Sequence, residues 1–247
     1  MSADDILDSR RSFLRKSLTL IPVVTVAGSG IGLGAAVAAD PAPAPARQGE
    51  APRAGEAYRP AFFTEEEWAF VGAAVARLIP ADDTGPGALE AGVPEYIDRQ
   101  MTTPYATGAN WYMQGPFVTD APAEFGYQLK LVPRDIYRLG IAAADDWCRR
   151  QHGKPFAELD PATQDQALTQ FETGKAEFET VPAKVFFSYL LINTREGFFC
   201  DPIHGGNKGQ VGWKLVNFPG ARADFMDWVE RGEPYPIPSV SIRGERA

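Results

Sequence analysis

Few side chains in this sequence have the chemistry for catalysis. There are two cysteines, Cys148 and Cys200, and two histidines, His152 and His204. Two histidines cannot build a His-rich metal centre, and two thiolates alone cannot hold an iron–sulfur cluster. No Cys-x-x-Cys-His is present to attach haem. Ser188 falls mid-helix among bulky aromatics and neither histidine has an evident serine partner, so a hydrolytic triad is not indicated. Gly28, Gly30, Gly32 and Gly34 stand inside an apolar run with no strand before them, so they are not a dinucleotide fingerprint. The expectation is a chain with no catalytic, cofactor or metal set of its own.

The two thiols leave three outcomes open. An intrachain disulfide between Cys148 and Cys200 would constrain the unfolded chain by about 4 kcal/mol in the entropy model. Two separate buried thiols, or a bond to another subunit, are the alternatives; bridging requires adjacent Cα atoms, which spacing alone does not place.

Two loops carry unusual residues. Asn110-Trp111-Tyr112-Met113-Gln114-Gly115-Pro116-Phe117 clusters aromatics without helical spacing. It reads either as a cap on the domain's own core or as a rigid aromatic surface for a partner, because Trp and Tyr anchor interfaces. The second loop is Thr194-Arg195-Glu196-Gly197-Phe198-Phe199-Cys200-Asp201-Pro202-Ile203-His204-Gly205-Gly206-Asn207, continuing through Val211-Gly212-Trp213 to Gly220. Its glycines permit close backbone approach, and Asp201 and Asn207 can fix turns. It is a structural loop or a surface shown to a partner. The partner-interface candidates are Trp111, Tyr112, Gln114, Asp201, His204, Gly205, Gly206, Asn207 and Trp213.

Ahead of these lies a different kind of motif. Ser9-Arg10-Arg11-Ser12-Phe13-Leu14-Arg15-Lys16 precedes an apolar run over 18–39, ending in Val37-Ala38-Ala39. A charged head with paired arginines, Phe13 and Leu14, a moderately apolar core and small terminal residues describe a twin-arginine export signal. Cleavage is expected between Ala39 and Asp40. That route carries proteins already folded, often around a cofactor or with a partner. The formal charge is -8 for the whole chain and becomes more negative without the signal, so nothing electrostatic favours nucleic acid.

The elements that position the loops read as helices. Thr64 and Glu67 form a capping box, with Phe63 able to staple to Trp68. Trp68, Val71, Val75, Leu78 and Ile79 then share a face up to Pro80. A short helix follows Pro94, with Tyr96 and Ile97 inward. A third begins near Pro133 with a stripe of Ile136, Leu139, Ala143 and Trp147, ending before Gly153. A fourth opens at Asp160-Pro161 and stops at Gly174. A fifth covers about 182–199, with Val185, Phe186, Tyr189, Ile192 and Asn193 along one side. A last short helix carries Phe225, Trp228 and Val229. Period-two alternation is nearly absent, so the fold class is all-α, with room for a small hairpin in the loops. The organisation is a signal over 1–39, a Pro/Ala-rich linker over 40–60, a single helical domain over 61–232 and a Pro-rich tail over 233–247.

Several segments together carry a resemblance. They are Trp111-Tyr-Met-Gln-Gly-Pro-Phe117, Tyr127-Gln128-Leu129, Tyr137-Arg138-Leu-Gly-Ile141, Gln164-Asp165, Phe186-Phe187, and Asn193-Thr-Arg-Glu-Gly-Phe-Phe199 running into Asp201-Pro-Ile-His-Gly-Gly-Asn207 and Gly212-Trp-Lys214. From about 62 to 220 the chain resembles subunit 3, the small subunit, of membrane-associated gluconate 2-dehydrogenase. His204 departs from the pattern, where an aromatic such as tyrosine is expected.

The resemblance implies a non-catalytic subunit in a complex facing the periplasm and attached to the inner membrane. A large subunit with FAD would oxidise D-gluconate to 2-dehydro-D-gluconate. A cytochrome c subunit with haem c would pass electrons on. The small subunit would bind no cofactor; it would engage the Tat translocon and be needed to mature and export the flavoprotein. Related small subunits serve flavin dehydrogenases for glucose, fructose and other sugars. From a different class, a free-standing exported binding protein would place Trp111, Tyr112 and His204 around a small-ligand pocket; an independent enzyme is the third reading.

Overall fold

The computed structural model describes residues 58–118 and 120–247. The export motif (Arg10, Arg11, Phe13, Leu14), the cleavage pair Ala39 and Asp40, and most of the linker lie outside them. The described residues are helical, without a named strand: α1 (Glu65–Leu78), α2 (Val93–Gln100), α3 (Pro133–His152), α4 (Pro161–Thr173), α5 (Ala183–Phe199) and α6 (Val211–Leu215). Short 3-10 turns join them, and three isolated bridges are the only sheet-like pairings there.

The helix ends follow the local chemistry. The Thr64 hydroxyl accepts from Glu67 N while the Glu67 carboxylate accepts from Thr64 N, and three glutamates fill the first turn of α1, where the dipole favours negative charge. Asp160 caps α4 and Pro161 starts it. Gly153 and Gly174 close α3 and α4 in the left-handed conformation that spares a Cβ. Phe63 meets Tyr137 edge-on, and the ring beside Trp68 is Tyr58, not the expected staple partner.

Helix α5 runs through the centre, packed by α1, α2, α3, α4 and α6. Its buried face is Phe186, Phe187, Leu190, Asn193, Thr194, Gly197 and Phe198, whereas Ile192 is exposed. The apolar run here is wider than one stripe, so periodicity alone misplaced part of the face. On α3 the buried stripe is Ile136, Tyr137, Gly140, Ile141, Ala144 and Cys148; Leu139, Ala143 and Trp147 flank it. Each buried Phe in this core contributes about 2–3 kcal/mol by leaving water.

Helices α3 and α5 are antiparallel. Tyr137 donates to Asn193 Oδ1 at 3.0 Å, and Gly140, one turn on, meets Phe186, two turns back. The final helix expected near Phe225 is a 3-10 turn, Asp224–Trp228, with no buried residue, and Val229 is exposed. Beyond it the tail folds back: Val240 bridges Gly220 and Arg246, and Tyr235, Ser239 and Ser241 are buried.

Candidate functional site

The loop after α5 is built by close backbone approach. A Cβ on Gly206 would fall 2.2 Å from the Gly197 carbonyl oxygen, and one on Gly212 would fall 2.1 Å from that of Phe198. Only glycine lets the returning chain lie on the last turns of α5 at these points. Asn207, fully buried at a φ of 46°, holds the return. Its Nδ2 donates to the Cys200 carbonyl at 2.8 Å and its Oδ1 accepts from Gly212 N at 2.8 Å. Trp213 Nε1 donates to the Phe199 carbonyl at 2.7 Å. Asp201 accepts from Ile203 N and from Ile242 N, tying the loop to the tail. Gly205, Gly206, Asn207 and Trp213 are therefore buried inside their own chain and shape the loop, while His204 beside them is exposed.

In the aromatic loop Trp111 is half-buried, with its ring 6.2 Å from Tyr105 and 5.5 Å from Tyr127. Tyr127 in turn reaches Tyr189 of α5 at 6.5 Å. Trp111 thus anchors the loop to the core, whereas Tyr112, 79% exposed, and Gln114 face outward. Its tryptophan packs on the domain, as a core cap does, and its tyrosine is open to solvent.

Under these rings lies a polar network. Tyr137 and Tyr105 both donate to Asn193 Oδ1, and Asn193 Nδ2 donates to Glu196 at 2.8 Å. Burial pushes the Tyr137 hydroxyl far above its ordinary titration range, so it remains a donor. A second hub surrounds Asp98, a fully buried carboxylate on α2. It accepts from the Tyr58 hydroxyl at 2.7 Å and from the backbone N–H groups of Ala61, Phe62 and Phe63. Neighbouring Glu95, also buried, pairs with Arg99 and with Lys208. Arg138 clamps the same entry segment, donating to the Phe62 carbonyl and pairing with Glu67, its guanidinium 4.2 Å over the Phe62 ring. Sequence reading missed Asp98 and Glu95 as buried polar groups, and it set Asn193 on the stripe of its helix without giving it a polar role. The one signal was a carboxylate directly after the inward-facing Ile97.

The cysteines correct one expectation. Both are free thiols: Cys148 is buried and Cys200 half-buried. From the Tyr137–Asn193 contact, Cys148 lies along α3 in one direction and Cys200 past the end of α5 in the other. At the helical rise they stand about 25 Å apart along the antiparallel pair, well beyond bridging distance. Burial raises the Cys148 thiol to about 12 and the Cys200 thiol to about 11, so both are protonated at neutral pH.

Among the described residues no three His, Cys, Asp or Glu side chains gather as metal ligands would, and no helix is long and apolar enough to cross a membrane. His152 packs against Trp147 at 5.7 Å. Among the described residues, depressions open to the surface include one of about 320 Å³ against Trp213 and Tyr235 and one of about 530 Å³ along residues 174–184. Neither has Trp111, Tyr112 or His204 in its walls.

Against known proteins, the family model for gluconate 2-dehydrogenase subunit 3 matches residues 65–220. The chain belongs to that family. The match runs from the first residue of α1 to the glycine that bridges to the tail, and so takes in every helix that builds the core. No curated protein and no solved structure matches the chain. Membership makes it a subunit type of an oxidoreductase, gluconate 2-dehydrogenase, and hence of a multi-subunit dehydrogenase.

Proposed function

We propose that this chain is the non-catalytic small subunit of a membrane-associated FAD-dependent gluconate 2-dehydrogenase facing the periplasm. The large flavoprotein subunit carries FAD and removes the two electrons and two protons that convert D-gluconate to 2-dehydro-D-gluconate. A cytochrome c subunit passes the electrons on. The small subunit stabilises the flavoprotein during maturation, and its twin-arginine signal, centred on Arg10 and Arg11, takes the folded pair across the membrane. It binds no cofactor itself. The observation that carries this reading is the family match over residues 65–220. The buried networks of the described residues support it: Asn193, Asp98 and Asn207 bond within the chain and order helices and loops, which suits a folding and docking partner.

The deciding experiment follows the flavoprotein when Arg10 and Arg11 are both replaced by lysine. Both subunits are expected to remain in the cytoplasm, with flavin-dependent gluconate oxidation lost from the periplasmic face. A flavoprotein that still reaches the periplasm has its own route, and the carrier role fails. Gluconate binding to the isolated chain by calorimetry would favour an exported binding protein instead.

A further inference from the structure

Exposed apolar side chains gather where α6 meets the folded-back tail. Phe199, Leu215, Val216, Phe218 and Ile237 are each two-fifths or more exposed. Phe218 and Ile237 are walls of the 320 Å³ depression, together with Trp213, Lys214, Tyr235 and Ser239. Leu215 and Val216 continue the chain from Lys214, and Phe199 is tied to Trp213 by the indole–carbonyl hydrogen bond. Phe199, Leu215 and Val216 are thus neighbours, by chain or by hydrogen bond, of residues that line the depression.

Two further observations say what that surface receives. The first is charge. Residues 58–204 hold twelve Lys and Arg against twenty-one Asp and Glu, whereas residues 205–247 hold six against five. A carboxylate-bearing partner is repelled by the helical body and not by this region, over the roughly 8 Å that charge reaches at physiological salt. Lys214 is exposed on the wall of the depression and has no ion pair among the described residues. The second is an orphan: Ser239, 7% exposed, carries a hydroxyl with no hydrogen-bond partner among the described residues. Buried polar groups are normally satisfied; this oxygen is closed to solvent, in a residue that borders the depression. One wall, with Trp213 and Phe218, lies within the family match, and the other, with Tyr235 and Ser239, lies beyond it.

We infer that this depression receives an apolar side chain from a carboxylate-bearing segment of the partner dehydrogenase subunit, with Lys214 pairing the carboxylate. The inference rests on the subunit reading above. The apolar centre supplies burial, as anchors in desolvated pockets do, and the lysine sets orientation and salt dependence.

The test is purification of the full, affinity-tagged chain from its native cell. Captured partner is measured by flavin absorbance and by reduction of an artificial acceptor with gluconate. Wild type is expected to retain flavin, and less of it as salt rises. The double variant Val216→Asp/Phe218→Asp is expected to retain at least ten-fold less flavin per chain. Lys214→Glu is expected to retain several-fold less and to lose the salt response. Lys214 is exposed and unpaired among the described residues, so that variant decides the matter if the double variant does not fold. Undiminished flavin in Lys214→Glu and in a folded double variant overturns the docking site and leaves the subunit reading standing. Loss with Tyr112→Asp alone places the interface on the aromatic loop and also overturns it. A wild-type chain that captures no flavin defeats the subunit reading and the docking site with it.

Discussion

Gly140 of α3 lies under the ring of Phe186 of α5, so closely that a Cβ would fall 2.2 Å from Cδ2. This contact sets the separation of the two longest helices. Gly140→Ala is expected to cost about 1–3 kcal/mol by overpacking, despite alanine's better helix propensity. Urea unfolding of the two proteins checks it; an unchanged or raised midpoint would show that the helices can part without penalty.

Removing the Asp98 carboxylate strands four donors at once. Asp98→Ala is expected to cost about 3 kcal/mol or more, because Phe63 N and its neighbours lose their acceptor. Limited proteolysis should then cut near residues 58–63 well before it cuts elsewhere. Equal protection in both proteins would mean that Arg138 holds the segment alone.

The thiol state gives a third test. Denatured chains without reductant should show two reactive thiols each, since Cys148 and Cys200 are both free. In the folded protein labelling should be slow for both, with Cys200 ahead of the fully buried Cys148. A denatured chain with no reactive thiol would require a cystine.

Acidity supplies a fourth. Burial raises the Asp145 carboxyl above its ordinary value, against the opposing pull of the Phe156 N–H and Arg149. Between its unfolded and folded values the folded chain holds more of the proton. Asp145 therefore makes stability fall as pH rises through that window. Asp145→Asn keeps an oxygen for Phe156 N, and Arg149 keeps Asp146 at 3.0 Å. The variant should melt higher than wild type at pH 7, and the gap should close on acidification below the ordinary aspartate range. A gap constant with pH would show that ionisation of Asp145 is not its source.

The helix ends were legible because their signals are local. Thr64 with Glu67, Asp160 with Pro161, and Gly153 and Gly174 each act through a few adjacent backbone groups. The faces were less so. On α5 nearly every position from Val185 to Ile192 is apolar or aromatic, and which of them is exposed depends on neighbours far along the chain. The polar hubs were illegible for the same reason: Asp98 meets Tyr58 forty residues away, and Asn193 meets Tyr137 at fifty-six. In the loop after α5 the sequence displayed Gly205, Gly206 and Asn207 plainly but not their direction. They turn inward to support the chain's return, and the neighbouring exposed surface belongs to Leu215, Val216 and Phe218.

The Asp98 clasp also has a mechanical meaning. Any pull on the chain ahead of Tyr58 arrives first at a single carboxylate rooted in the core, where four hydrogen bonds converge. Arg138 of α3 grips the Phe62 carbonyl beside them, so part of the tension passes to α2 and α3 before it reaches the first turn of α1. The front end of the described domain is fastened to two helices that come after α1 in the chain.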